Sequence, residues 1–269
     1  MYIVRKNLNY YTNVFREWHL KEKLKNNLFQ NIYCRIIIAI VGMALLIYLA
    51  STEALLKVIR GEEGLAEGFH TTLVLNAIHS DVIASFIPIF TVIPFSARYL
   101  EDIENKYALF FLIRSSYRIY LTNRLMKCFL SGGLVASGGA LLAWYGAAFT
   151  FIPKEIALKE PPKTYLDLLK TIELLFFCGG FWAIVGMALS TTMESKYIAY
   201  ASPFVLYYLL VILCERYFPD WFLLYPMEWV NPSKLWPLGY WGPAVLMMEL
   251  TALFSMLFIW RAGRRLREL

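Results

Sequence analysis

The chain has no Gly-Lys pair anywhere in its 269 residues. It therefore lacks the G-x-x-x-x-G-K-[ST] loop, whose backbone amides and lysine cradle phosphates, and it is excluded as a P-loop ATPase acting by itself. Histidine is scarce. His19, His70 and His79 stand apart and form no H-E-x-x-H pattern, which removes zinc-protease chemistry of that kind. No G-x-S-x-G nucleophile elbow is present. Cys34, Cys128, Cys178 and Cys214 form no C-x-x-C pair and lie in or at the ends of apolar runs. There cysteine behaves as a small apolar residue, and neither a disulfide nor a metal site is expected. Internal repeats and low-complexity tracts are missing. Charge is scarce too: 17% of residues, against about 25% in a soluble globular chain.

What is there is hydrocarbon. Apolar residues make up 59% and the mean hydropathy is +0.51, so the composition implies an integral membrane protein. A crossing needs about 20 mostly apolar residues. Six runs qualify, at about 33–52, 81–97, 119–152, 172–193, 197–218 and 242–260. The third is too long for one straight crossing, and its basic start, through Lys127, is expected at the surface. The expected fold class is an all-α integral membrane protein of six transmembrane helices. It is expected to form a single transmembrane domain over 1–269, with a cytosolic amphipathic segment at 1–32, a bundle at 33–260 and a basic tail at 261–269.

Orientation follows from lysine and arginine. The segments 1–35, 98–127, 193–196 and 261–269 hold 18 of the 26 basic residues. The positive-inside rule then places both termini in the cytosol, in a multi-pass protein of the cell membrane. Met1 to Asn31 is charged and aromatic, without the short apolar core and cleavage site of a signal peptide. Within it, Val14, Phe15, Trp18, Leu24, Leu28 and Phe29 alternate with Arg16, Lys21, Lys23 and Lys25. That spacing predicts a basic amphipathic helix lying on membrane lipid. Between the fifth and sixth runs, 219–241 is crowded with Trp221, Trp229, Trp236, Tyr240 and Trp241 and broken by Pro226, Pro232 and Pro237. Trp and Tyr collect at membrane interfaces, so this loop is expected to dip into the outer headgroup layer.

A charge within a span is a functional candidate by default, because its burial in lipid is expensive. Glu249 is the candidate in the sixth run, expected to face the bundle or a wet cavity. A structural hydrogen bond inside the bundle is its equal alternative. His79 and Asp81 are placed at the outer mouth of the second run. Pro88, Pro94 and Pro203 are candidate bends. Gly132, Gly133, Ser137, Gly138 and Gly139 are small residues of the kind that let helices pack closely in lipid.

The densest charge lies between the second and third runs, in FSARYLEDIENKYALFFLIRSSYRIYLTNRLMKCF. Glu101, Asp102 and Glu104 precede an oily patch of Leu109, Phe110, Leu112 and Ile113. Arg114-Ser115-Ser116-Tyr117-Arg118 follows, then Arg124 and Lys127. The six-run pattern with an acidic cluster, a Ser/Arg element and a basic entry to the third span resembles the permease subunits of type-2 ABC exporters. The family's small turn residues after the acidic cluster are replaced here by Asn105-Lys106-Tyr107. The resemblance implies a cytosolic coupling helix that inserts into a separate ATP-binding ABC subunit. Glu101, Asp102, Glu104, Leu109, Phe110, Arg114 and Arg118 would then form the contact. ATP and magnesium would be held by that subunit, with no cofactor on this chain, and a second permease copy or homologue would complete a dimer. The cargo implied is amphipathic, lipid-like or peptidic. Two other classes stay open: a membrane enzyme acting on lipid or prenylated substrates, for which no catalytic constellation is visible, and a non-transporting sensor or scaffold.

Overall fold

The computed structural model describes residues 32–51, 68–112, 116–155, 164–233 and 235–267. The expected amphipathic helix within 1–31 lies outside the described residues, as does Arg114. Among the described residues there are helices and turns and no strand. The helices are α1 (Ile32–Ala50), α2 (Phe69–Ile78), α3 (Asp81–Val92), α4 (Arg98–Glu104), α5 (Tyr107–Leu112), α6 (Tyr117–Phe151), α7 (Thr164–Met193), α8 (Lys196–Ile212) and α9 (Gly242–Arg267). Five of these elements are long and apolar enough to cross a membrane, and α2 with α3 makes a sixth if the bent pair counts as one span.

That pair corrects the expected second span. Residues 69–78, which lie between the first and second apolar runs, are helical, and α2 and α3 meet at 72°. The bend does not fall at a proline. Pro88 sits inside α3, while the break is at Ser80. The Ser80 hydroxyl donates to the Ala77 carbonyl at 2.6 Å and accepts from the Ile83 N–H at 3.4 Å. One side chain thus closes α2 and caps α3, satisfying helix-end groups that would otherwise be orphaned.

The third run is one unbroken helix of 35 residues. Its rise of about 52 Å exceeds the roughly 30 Å of hydrocarbon, so one end projects.

α7 is the axis of the bundle, buried at every residue from Cys178 to Ala188. Its apolar side chains point in all directions because every direction is covered. Its contact with α6 is made through glycine. A Cβ on Gly132 would lie 2.5 Å from the Gly179 carbonyl oxygen and 2.5 Å from the Ala183 Cβ, and one on Gly179 would lie 2.5 Å from the Gly132 oxygen. The two backbones touch there, as the small-residue reading of α6 expected. Gly139 similarly admits Met43 of α1.

The aromatic loop is partly corrected. Residues 219–241 form one-turn segments at Phe222–Leu224, Pro226–Trp229 and Gly239–Trp241. Trp221 and Trp241 are exposed, but Trp229 and Trp236 are buried inside the bundle. The Trp229 ring sits 5.4 Å from Phe181 and 5.8 Å from Trp182, centroid to centroid. Its indole N–H donates to the Leu223 carbonyl at 2.8 Å, so its polar atom is satisfied while its apolar body fills the core.

Candidate coupling site

α4 and α5 stand at one end of the bundle, between α3 and α6. Lys106 joins them with φ 57°. A left-handed residue with a side chain costs roughly 1–2 kcal/mol, and glycine is the usual occupant. The turn after Glu104 is therefore made by a lysine. It stops α4 and sets the direction of α5.

The acidic cluster of α4 does not point outward as a set. Asp102 is 4% exposed. Its carboxylate is in contact with the Arg124 guanidinium, accepts the Tyr120 hydroxyl at 2.9 Å and lies 3.7 Å from Arg98 Nε. Burial raises the Asp102 carboxyl above its ordinary value, while Arg124, the Tyr120 hydrogen bond and Arg98 pull it back. Glu101 bridges Arg98 at 3.0 Å and Arg35 of α1 at 3.5 Å. Glu104 pairs with Lys196 at the start of α8. The Tyr99 hydroxyl donates to the Ala262 carbonyl of α9 at 3.3 Å. Thus α4 is fastened to α1, α6 and α8 by Glu101, Asp102 and Glu104, which the sequence offered as a docking set, and to α9 by Tyr99.

The exposed part of the region is α5 and the start of α6. Phe110 is 52% exposed and Phe111 45%. Leu109 lies in the same helix. Arg118 is exposed, its Nε donating to the Tyr117 hydroxyl at 3.3 Å. The structure brings Glu101, Asp102 and Arg124 together. It sets Phe110 and Arg118 apart from them at the surface.

The other candidates lie away from this region. His79 and Asp81 stand at the elbow between α2 and α3. His79 is half-buried, with no hydrogen-bond partner on Nε2 among the described residues. Asp81 is exposed in the first turn of α3. Glu249, expected to face the bundle or a wet cavity, is exposed on α9. The faces of α9 that meet α7 are taken by Met247, Thr251, Phe258 and Ala262, all buried.

One polar group at the opposite end escaped the sequence entirely. Glu155, just after α6, accepts from the Gly68 N–H at 2.9 Å, the His70 N–H at 2.9 Å and His70 Nδ1 at 2.7 Å. Gly68 has φ 83°, a left-handed conformation that suits glycine. The far nitrogen of His70 lies 3.4 Å from the Tyr165 hydroxyl of α7. The His70 and Glu155 side chains are 1% and 5% exposed, so this is a fastening of α2 to the α6–α7 corner, closed to any substrate. Burial works to raise the Glu155 carboxyl, but the donors from His70 and Gly68 outweigh it and hold its pKa below the ordinary value of 4.5. A depressed acid contributes stability above its unfolded pKa and loses it as pH falls through the folded one. Thermal stability of the purified protein is therefore expected to drop on acidification below about pH 4.5. Glu155→Gln should be less stable at neutral pH and flatter across that range. A Gln variant with the same slope as the native chain would contradict this.

No family model matches the chain, and neither a curated protein nor a solved structure matches it. The functional reading rests on the residues.

Proposed function

We propose that this chain is the membrane-spanning subunit of an ATP-driven exporter, and that α5 docks on a separate ATP-binding subunit. The observation that carries the reading is the contrast between neighbours: α4 is clamped to four helices while α5, turned by Lys106, presents Phe110 at the surface. A rigid arm with an aromatic tip suits a lever. Force on α5 passes to α4, and the pairs Glu101–Arg35, Asp102–Arg124 and Glu104–Lys196 pass it to α1, α6 and α8. ATP and magnesium belong to the partner in this scheme, which agrees with the absence of a phosphate-cradling loop here. A second permease, the same or homologous, completes the pathway. The cytosolic side is assigned to the α4–α5 end by the basic residues. Export and an amphipathic, lipid-like or peptidic cargo follow from the type-2 resemblance.

Phe110→Asp tests the docking. Burying one Phe at an interface stabilises it by about 1.5–3 kcal/mol, which is tenfold or more in Kd. The variant should fold and insert as the native chain does, because Phe110 is already half-exposed, and should lose most of the ATPase activity that copurifies with the tagged native chain. Unchanged copurifying activity would remove α5 from the contact.

A further inference from the structure

Glu249 is the one acidic residue in the sequence of α9. It lies seven residues past Gly242, about 10 Å of helix rise from that end, and it is exposed. Its neighbours on the exposed side are Val245, Met248, Ala252, Leu253 and Met256. Turning it inward would expel Met247, Thr251 and Phe258 from the contact with α7. A short carboxylate held against hydrocarbon at that depth is costly, and such residues pair with a counter-group.

No described residue of this chain pairs with it. No lysine or arginine occurs within 36–50, 81–92, 128–151, 171–193, 197–215 or 243–260. A second copy with its helices level would set Glu249 against apolar side chains or against its own twin. The start of α1 lies near the far end of α9. There Arg35 bridges Glu101, and the adjacent Tyr99 reaches Ala262, about 20 Å of helix rise from Glu249. Charge complementarity selects a different chain.

We propose that the exposed face of α9 docks a transmembrane helix of a second, different protein, and that this helix carries a lysine or arginine at the depth of Glu249. Ala252, on the next turn, lets the two backbones approach. Met248 and Met256 adapt to the partner's surface. A single polar position among apolar ones fixes the register of the pair. The inference rests on α9 spanning the membrane and is independent of the docking assigned to α5.

The full-length chain, labelled at Cys34 and reconstituted in phosphatidylcholine vesicles, is titrated with labelled synthetic leucine-alanine helices of about 20 residues. The helices carry Lys, Leu or Glu at the matching depth, and association is read by energy transfer. The Lys helix should bind the native chain about tenfold more tightly than the Leu helix, the scale of a strong polar contact between helices in lipid. Glu249→Leu should abolish the preference, and Glu249→Lys should transfer it to the Glu helix. Equal binding of the Lys and Leu helices by the native chain would overturn the proposal. So would saturable binding of dodecylamine with no preference among the helices, which would assign the face to a cationic amphiphile. A disulfide formed in membranes between copies carrying Met256→Cys would assign it to a homodimer and overturn it equally.

Discussion

Asp102→Ala is expected to be the most damaging change at the α4–α5 end. Removing one member of a buried ion pair leaves the other charged and unpaired, which typically costs about 3–5 kcal/mol. Here the loss strands Arg124, 12% exposed, and leaves the Tyr120 hydroxyl without its acceptor, while Arg98 keeps Glu101. At about 2–4 °C per kcal/mol for a chain of this size, the melting temperature should fall by roughly 10 °C. Asp102→Asn keeps an acceptor for Tyr120 and should fall less. Replacing both partners, Asp102→Ala with Arg124→Met, should recover much of the loss, because a buried pair exchanged for apolar groups is often nearly neutral. Under the lever proposed above, the same double variant should still fail to couple hydrolysis to transport, since α4 would no longer be tied to α6 by charge. A melting temperature of Asp102→Ala within two degrees or so of native would mean that α4 is not held there.

The second large effect lies at the α6–α7 contact. Gly132→Val places branched carbons where the Gly179 oxygen and Ala183 Cβ already lie within 2.5 Å of an ideal Cβ. Forcing extra carbons into a filled site costs about 1–3 kcal/mol and more when the obstacle is backbone. Gly179→Val should do the same from the other side. Gly146 is the control on the same helix: a Cβ there meets nothing within 4 Å. Gly146→Ala should gain up to about 1 kcal/mol of helix propensity. Thermal melts of Gly132→Ala and Gly146→Ala should therefore move in opposite directions. A matching shift in both would mean that propensity, not helix contact, governs these positions.

Much of the architecture is legible in the sequence because hydrocarbon demands long apolar runs. α1, α6, α7, α8 and α9 all overlap runs chosen by length and composition. α2 is not legible that way. Its ten residues include His70, two threonines and Asn76, too short and too polar to register as half of a span, and its bend is set by the Ser80 hydroxyl and not by Pro88. Faces are harder still. α7 and α9 are apolar on most sides, so periodicity does not say where Glu249 points; the packing of Met247 and Phe258 on α7 does. The acidic cluster was visible, but its direction was not. Arg98 at four residues before Asp102 was a readable partner, whereas Arg124 and Tyr120 arrive from the next helix. The contact between His70 and Glu155 spans 85 positions, and nothing local announces it. Trp229 and Trp236 share the composition of an interfacial belt yet fill the core.

The account turns on α5 facing an ATP-binding partner across the cytosolic end. The most direct measurement places a photo-crosslinking benzoylphenylalanine at Phe110 in living cells and identifies the adduct by mass spectrometry. The account predicts a single protein adduct to a nucleotide-binding subunit, lost when Phe110 is replaced by the same group at outward-facing Tyr145 on α6. An adduct to lipid alone, or to a protein without a nucleotide-binding loop, would contradict it.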